Sequence, residues 1–263
     1  MKALIVVAII VIIGWHSADG QSLDSLPGKV KTVYTAGSKS RAQTLQRFVT
    51  AAEDFYEKQY PGLKFSAHLN VLGKTDWERR LKIPYGIPYA WQQDIYVGSD
   101  KKYVAAMFHA EVNPGDDQLA GFDALVIHEL GHNFLLTLTN TDTKVKWLNE
   151  FLASYFMIAF TQQTNFNAVL PPLGPYKPEH QSLADFEAMY LGVGPQNYDW
   201  YQRQFLKLGY TLYPKLKLKL IDAFLTNYAA GGKKADPPTL LHNLAPVEVD
   251  NWMAAMNSGK MAN

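Results

Sequence analysis

Two histidines and a glutamate stand close together in the stretch from Val126 to Phe134, which contains the pattern H-E-x-x-H. If this stretch is helical, His128 and His132 lie one turn apart on the same face, because residues at i and i+4 are neighbours on a helix. Two imidazoles so placed can bind one zinc ion from one side, while Glu129 lies at their flank and can accept a proton from a water molecule at the metal. The pattern therefore predicts zinc ligands and a general base on one rigid element.

The residues around this motif indicate a buried helix. Apolar side chains recur there with helical spacing, at Phe122, Leu125, Val126, Leu130, Phe134 and Leu135. The alternative interpretation is a pair of core histidines with an incidental carboxylate. Burying two histidines and a glutamate together in an apolar helix is costly when no metal is bound, so metal binding is favoured.

A third zinc ligand is expected from the segment Trp147 to Tyr155, which follows a polar loop at residues 139–143. Glu150 lies in the first turn of this strongly apolar, helically spaced segment, where a carboxylate must be paired or bound to metal. A carboxylate that only complements the helix dipole is the alternative. The competing ligands Glu179, His180 and Glu187 fall in a proline-rich loop or on another predicted helix. We predict one Zn²⁺ held by the two histidines and Glu150.

These two segments resemble the gluzincin zinc peptidases. The second, W-L-N-E at residues 147–150, is similar to the W-L-N-E-G-F-A-x-Y segment of the M1 aminopeptidase superfamily and its smaller relatives. The spacing between His132 and Glu150 is one residue shorter than those enzymes usually have, and Phe151 replaces their glycine. The metzincin pattern is excluded, because Leu135 and Leu138 occupy its glycine and third histidine positions. The resemblance covers about residues 122–160.

The resemblance implies a zincin-like, thermolysin-like catalytic domain in which a sheet strand before the metal helix lines the cleft. Tyr89, Ala90 and Trp91 would occupy that strand, whose free edge can pair with an extended peptide. Packing of these aromatic residues against the sheet is the alternative. The G-x-M-E-N segment with which M1 aminopeptidases hold a free amine is absent, so a typical aminopeptidase is not expected.

The resemblance also implies a tyrosine that donates a hydrogen bond to the oxyanion of the substrate. Tyr198 resembles that position, with Tyr201 as the alternative one turn on; either could equally be a core residue. Ser154, one turn after Glu150, is expected to orient the first histidine, and Asn149 is a second polar neighbour that could steady the cleft.

The first twenty residues have the composition of a secretory signal peptide. Lys2 is followed by an apolar run from Ala3 to Trp15 and by a small-x-small cleavage site at residues 18–20. A run of that length is short for a bilayer, so a retained anchor is the less favoured interpretation. We expect a secreted or periplasmic protein without stable membrane insertion after cleavage.

The composition excludes several classes of partner and of fold. The 263 residues carry 25 basic and 24 acidic side chains, a net charge of +1, and no basic stripe that would indicate nucleic acid. There are no cysteines, so disulfides cannot stabilise the exported chain and any zinc site must use histidine and carboxylate ligands. With 48% hydrophobic residues the chain can form a core of good size.

The order of predicted elements indicates an α+β fold. Strands are predicted at residues 30–35, 65–71 and 94–98, and the chain after the metal helix is predicted to be helical. Gly209 is expected to end one of these helices and Pro214 to begin the next. We therefore expect a signal peptide at 1–20 and one catalytic domain at 21–263, with an α/β lobe to about residue 140 and a helical lobe from about residue 141.

The expected function is hydrolysis of peptide or protein substrates by a zinc metallopeptidase with Glu129 as the general base. Two alternatives belong to other classes. One is a zincin-fold protein that binds a partner without cleaving it, and the other is a zinc hydrolase of a non-peptide substrate.

Overall fold

The computed structural model describes residues 22–65, 67–107, 123–139, 143–164, 166, 179, 181–229 and 235–258. The predicted signal peptide, most of the proline-rich loop and His180 lie outside the described residues. No helix within the described ranges combines the length and the apolarity needed to cross a membrane.

The structure is mixed α+β, with one small sheet followed by helices. The sheet has five strands, which are β1 (Asp24–Leu26), β2 (Lys31–Tyr34), β3 (His68–Leu72), β4 (Tyr89–Trp91) and β5 (Asp94–Gly98). Their order across the sheet is β1-β2-β3-β5-β4. The three inner strands run parallel, and an antiparallel strand closes each edge. Strand β4 is therefore an edge strand, joined to β5 by a tight turn in which Gln92 has a positive φ of 54°.

The helices cover the sheet and form the second half of the described chain. They are α1 (Lys39–Gln59), α2 (Lys74–Arg80), α3 (Lys101–Met107), α4 (Leu125–Thr139), α5 (Lys146–Thr164), α6 (Leu183–Met189), α7 (Pro195–Leu216), α8 (Lys219–Ala229), α9 (Pro237–Leu244) and α10 (Pro246–Asn257). A short 3₁₀ turn at Tyr190–Val193 joins α6 to α7.

Helix α5 is the central helix of the core. Nearly every side chain from Trp147 to Thr161 is buried, so this helix is covered on all sides instead of presenting one apolar face. Its main neighbours are α4 and α7. Because α4 carries the H-E-x-x-H motif and α5 carries Glu150, the packing of these two helices determines whether the predicted ligands meet.

Helices α4 and α5 approach closely at Gly131. A Cβ atom at Gly131 would lie 2.9 Å from the Cα and 3.0 Å from the carbonyl oxygen of Ala153. Both contacts are with backbone, which cannot move aside as a flexible side chain can. The glycine inside the H-E-x-x-H motif and the alanine opposite it thus allow the two helix axes to come together.

A buried ion pair fixes the start of α4. Arg41 on α1 lies 2.7 Å from the carboxylate of Asp123, and both side chains are almost completely buried. The same arginine donates from Nε to the carbonyl of Gly98 at the end of β5. Breaking such a pair by removing one partner leaves an uncompensated buried charge, so these contacts hold α4 against both α1 and the sheet.

The expected helix boundary at Gly209 and Pro214 is wrong, because α7 runs continuously from Pro195 to Leu216. Gly209 leaves room for the end of a side chain on α5: a Cβ there would lie 2.5 Å from Cδ1 of Ile158. Pro214 lies within the last turn of α7, and α8 begins only at Lys219. Strand β1 was also absent from the sequence prediction.

We predict that Gly131→Ala destabilises the fold. Alanine favours helix by about 1 kcal/mol over glycine, but the forced separation of two packed backbones costs about 1–3 kcal/mol. Unfolding in urea with a chelator present would measure the difference. Gly192→Ala is the matched control, since a Cβ there meets only Met189 at 3.8 Å. Equal stability of the two variants would contradict the close approach.

We also predict a pH-dependent stability that depends on Glu53. Burial raises the pKa of this α1 carboxyl to about 7, although Lys29 lowers it. The folded chain then holds a proton that the unfolded chain loses near pH 4.5, so the contribution of Glu53 is full below about pH 4.5 and is lost as the pH rises through 7.

The wild type should therefore lose stability relative to Glu53→Gln between pH 5 and pH 8, with a slope of at most about 1.4 kcal/mol per pH unit. Chelator-treated protein should be unfolded in urea across this range, so that metal binding does not contribute. The stability of Glu78→Gln, a change at an exposed position on α2, should vary with pH as that of the wild type does. If the stability of Glu53→Gln changed with pH as that of the wild type does, Glu53 would not be the source of the pH dependence.

Candidate metal centre

Helix α4 presents two pairs of polar side chains, each spaced by four residues. His128 and His132 face α5, where their ring nitrogens Nε2 lie 3.1 Å apart. Glu129 and Asn133 each follow one of these histidines by one residue, so they lie about 100° further around the helix axis. Both of these interact with the edge strand β4 or the turn that follows it. The two faces of one helix thus connect α5 with the sheet.

Glu150 on α5 completes a cluster with the two histidines. Its Oε2 atom lies 3.2 Å from Nε2 of His128 and 3.6 Å from Nε2 of His132. Glu150 is 1% exposed. Among the described residues, these three are the one group of histidine and carboxylate side chains whose donor atoms converge as metal ligands would.

The distances between the three donor atoms fit a small divalent ion. Zinc bonds to histidine nitrogen and carboxylate oxygen of about 2.0–2.1 Å, arranged tetrahedrally, place neighbouring ligand atoms about 3.3 Å apart. The observed separations of 3.1, 3.2 and 3.6 Å bracket that value. Two imidazoles and a carboxylate are also the donor types that zinc accepts. The cluster could hold a metal ion.

Ser154 fixes the orientation of the His128 ring through Nδ1, the ring nitrogen that does not face Glu150. The hydroxyl oxygen of Ser154, one turn after Glu150 on α5, lies 3.1 Å from Nδ1 of His128. When Nδ1 donates its hydrogen to this oxygen, the lone pair is on Nε2, the atom that faces Glu150. Ser154 is thus placed where the sequence predicted an orienting residue.

Two side chains that the sequence analysis did not identify hold Glu150. The hydroxyl of Tyr190, in the 3₁₀ turn, donates to Oε1 of Glu150. The side-chain amide of Gln202, on α7, donates to Oε2 at 2.6 Å. These residues lie 40 and 52 positions after Glu150 in the chain. No local spacing connects them to it, so only the tertiary fold could reveal them.

Glu150 is ionised in this environment. Burial alone would raise its pKa, but the two histidines outweigh burial and hold the pKa well below its usual range. His132 and His128 favour the charged carboxylate when their Nε2 atoms carry a hydrogen, and a metal ion bound at the Nε2 lone pairs would supply positive charge in its place. A carboxyl group whose pKa is held low suits a metal ligand.

Glu129 lies against strand β4 instead of joining the three-residue cluster. Burial raises the pKa of its carboxyl, and the charge of Glu150 adds to that rise. His128 opposes the rise, as does a hydrogen bond from the backbone N–H of Ala90. The side chain is 8% exposed. Glu129 therefore connects the metal cluster to the edge strand.

Asn133 fixes the turn after β4 and was missed by the sequence analysis. Its side-chain amide nitrogen donates to the carbonyl of Gln92, and the residue is buried. The position could have been found from the sequence, because it follows Glu129 by one helical turn. Together the two side chains hold the β4–β5 hairpin beside the metal helix.

The structure separates the two tyrosines considered as oxyanion donors. Tyr198 shares a hydrogen bond with Tyr190, and its pKa is raised by burial and by the charges of Glu150 and Glu129. Tyr201 is fully buried, and its hydroxyl donates to the carbonyl of Ser182 at 2.8 Å. Tyr198 is thus linked to Glu150 through Tyr190, whereas the Tyr201 hydroxyl is bonded to the backbone of Ser182.

The remaining candidate residues take structural positions. Asn149 accepts hydrogen bonds from the backbone N–H and the hydroxyl of Thr143, so it organises the turn before α5. Glu187 accepts from the N–H of Trp147 at 2.8 Å, at the start of α5. Glu179 donates its backbone N–H to Asn197. None of these side chains belongs to the metal cluster.

The three predicted substrate-binding residues form the whole of β4. Ala90 contacts Glu129 through its backbone. Tyr89 is half-buried, and its pKa is raised by burial and by the charge of Glu129. Trp91 is 60% exposed. The edge strand therefore lies next to Glu129 and leaves a large aromatic side chain in solvent.

Comparison of the chain with protein-family models, with curated proteins and with solved structures finds no significant match. The resemblance to gluzincins consequently rests on the motif residues themselves.

We predict that Glu150→Ala lowers zinc affinity by more than a hundredfold, because it removes the charged ligand and leaves two imidazoles facing a cavity. Competition with a chromophoric chelator would measure the affinity of the purified chain. Glu179→Ala is the control, since the structure shows only the backbone of Glu179 in a hydrogen bond. Unchanged zinc content in Glu150→Ala would place the third ligand elsewhere.

Proposed function

We propose that this chain is an exported, zinc-dependent metallopeptidase with a zincin-like fold, a small relative of the gluzincins. The observation that carries the proposal is the convergence of His128, His132 and Glu150 within ligand distance, with Glu129 beside them at the edge strand. This arrangement contains the ligands, the general base and the substrate edge that such a hydrolase requires.

Zinc bound at the three residues would lower the pKa of a water molecule towards 7 and polarise a substrate carbonyl. Glu129 accepts the proton of the attacking water and later delivers it to the leaving amine nitrogen. Burial raises the pKa of Glu129, so its carboxyl takes up a proton more readily than a solvent-exposed one, as a general base must.

The substrate backbone is expected to run along β4. An extended peptide can add to an exposed sheet edge through backbone hydrogen bonds, and β4 is an edge strand that contacts the general base. Trp91, exposed on this strand, is available to pack against a substrate side chain. The hydroxyl of Tyr198 is the donor proposed for the oxyanion: it lies near both carboxylates, and it would turn from its hydrogen bond with Tyr190 to the substrate.

We predict that Glu129→Gln retains zinc but loses peptide hydrolysis by at least a thousandfold. The substitution removes the proton acceptor and leaves the three ligands in place. The experiment measures zinc content and then the cleavage of a mixed peptide library, with products identified by mass spectrometry. Glu78→Gln, on the exposed face of α2, should behave as the wild type.

The outcomes of this experiment distinguish the candidate functions. Cleavage by the wild type that is lost in Glu129→Gln supports the peptidase. Retained turnover in Glu129→Gln contradicts the role of that residue. A zinc-loaded wild type that cleaves no peptide contradicts the peptidase, and leaves a binding protein or a hydrolase of another substrate.

A further inference from the structure

We propose that Tyr190 and Gln202 are positioning residues that make Glu150 a one-oxygen ligand. The inference rests on the metal site of the proposed function, but not on the cleavage of peptides. Both side chains lie outside the two motif segments. Their proposed role is to direct one carboxylate oxygen of Glu150 towards the metal. The argument follows from the hydrogen bonds of the two carboxylate oxygens.

Each oxygen of Glu150 accepts one hydrogen bond from a different element. Tyr190 donates to Oε1, and Gln202 donates to Oε2. Oε2 is also the atom that faces both imidazoles. A carboxylate oxygen has two lone pairs, so Oε2 can accept from the amide and still bind a cation, whereas Oε1 is held away by the phenol.

The hydroxyl of Tyr190 is held in place by its surroundings. Its ring packs edge-on against Phe186 and Tyr198. Tyr198 and Tyr190 share a hydrogen bond. Because the single proton of Tyr190 is donated to Glu150, Tyr198 must be the donor in that bond. The two phenols therefore form a short chain that ends at Oε1.

The backbone conformation of Tyr190 also indicates that its side chain is held in place for a specific role. Its φ of 50° places a large side chain in the left-handed region, which non-glycine residues rarely adopt. The strain occurs where α6 ends and the 3₁₀ turn begins. The side chain at this strained position is the one that reaches the metal-ligand carboxylate.

Gln202 is positioned by the packing of α7 on α5. The two helices are close at Gly209, where a Cβ would collide with Ile158. This approach brings the second turn of α7 alongside Glu150 and sets the amide at 2.6 Å from Oε2. Tyr190 and Gln202 thus hold the ligand from two separate elements.

The consequence is a coordination number that leaves room for chemistry. A carboxylate that binds through both oxygens would add a fourth protein ligand atom to the two imidazoles, whereas a one-oxygen ligand leaves three. Three protein ligands with an open position characterise catalytic zinc sites. The donors to Glu150 therefore favour an open site.

The test measures metal affinity and coordination in the full chain, without substrate. Tyr190→Phe and Gln202→Met each remove one donor with little change in volume. Each should raise the zinc dissociation constant by about 10–100-fold, as loss of a partner that orients a ligand does. In the cobalt-substituted protein, the visible absorption of Tyr190→Phe should weaken as Glu150 binds through both oxygens and the coordination number rises.

Tyr155→Phe is the matched control. This buried tyrosine is on α5, as Glu150 is, but its hydroxyl donates to the carbonyl of Lys217, so its zinc affinity should stay within threefold of the wild type. If Tyr190→Phe fails to fold, Gln202→Met still tests the proposal.

Zinc affinities within threefold of the wild type in both variants, with unchanged cobalt spectra, would overturn the inference. A fall in kcat alone for Tyr190→Phe, at unchanged zinc affinity, would also overturn it and place the phenol on the substrate. A wild type that binds no zinc overturns both this inference and the peptidase. A wild type that binds zinc with the expected losses in the variants, but cleaves no peptide, supports the inference and overturns the peptidase alone.

Discussion

The candidate site depends on how closely two helices approach. His128 and His132 are on α4, and Glu150 is on α5, so their donor atoms meet only if the helix axes are close. Gly131 and Ala153 permit this, because the glycine has no Cβ to meet the backbone of α5. A side chain at position 131 would push the two backbones apart and so separate the imidazoles from the carboxylate. Gly131 is therefore as necessary to the site as the ligands.

Helix α4 is the element through which the parts of the site are connected. Its histidine pair faces α5, and its Glu129–Asn133 pair holds β4 and the following turn. The Arg41–Asp123 ion pair fixes the start of the same helix to α1 and, through Gly98, to the sheet. A peptide added to the edge of β4 would consequently lie at a distance from the metal set by one rigid helix.

The local part of this arrangement could be predicted from the sequence. The i, i+4 spacing of the histidines predicts the metal face of α4, and the apolar segment around Glu150 predicts α5. Strand β5 was predicted with the bounds that the structure shows, Asp94–Gly98. Each of these predictions depends on a period within one element, which a single sequence displays directly.

The non-local part could not be predicted. The order of the strands, with β5 between β3 and β4, depends on pairings between distant segments. Gly209 was interpreted as a helix end because glycine often ends helices, but it lies inside α7, against the end of the Ile158 side chain on another helix. Tyr190 and Gln202 likewise reach Glu150 across the fold. Sequence spacing carries no information about such contacts.

The two buried carboxylates of the site differ in the direction of their pKa shifts, and this difference agrees with the roles proposed for them. Burial raises the pKa of both, but Glu150 faces the histidines directly and its pKa falls, while the pKa of Glu129 remains raised. Neighbouring acids whose surroundings push their pKa values apart can perform different tasks at one pH. Glu150 keeps its charge and suits a ligand. Glu129, whose pKa is raised, is the carboxylate that contacts the edge strand along which the substrate is proposed to bind. The positions of the two carboxylates, and the pKa shifts that follow from those positions, both fit the proposed division of roles.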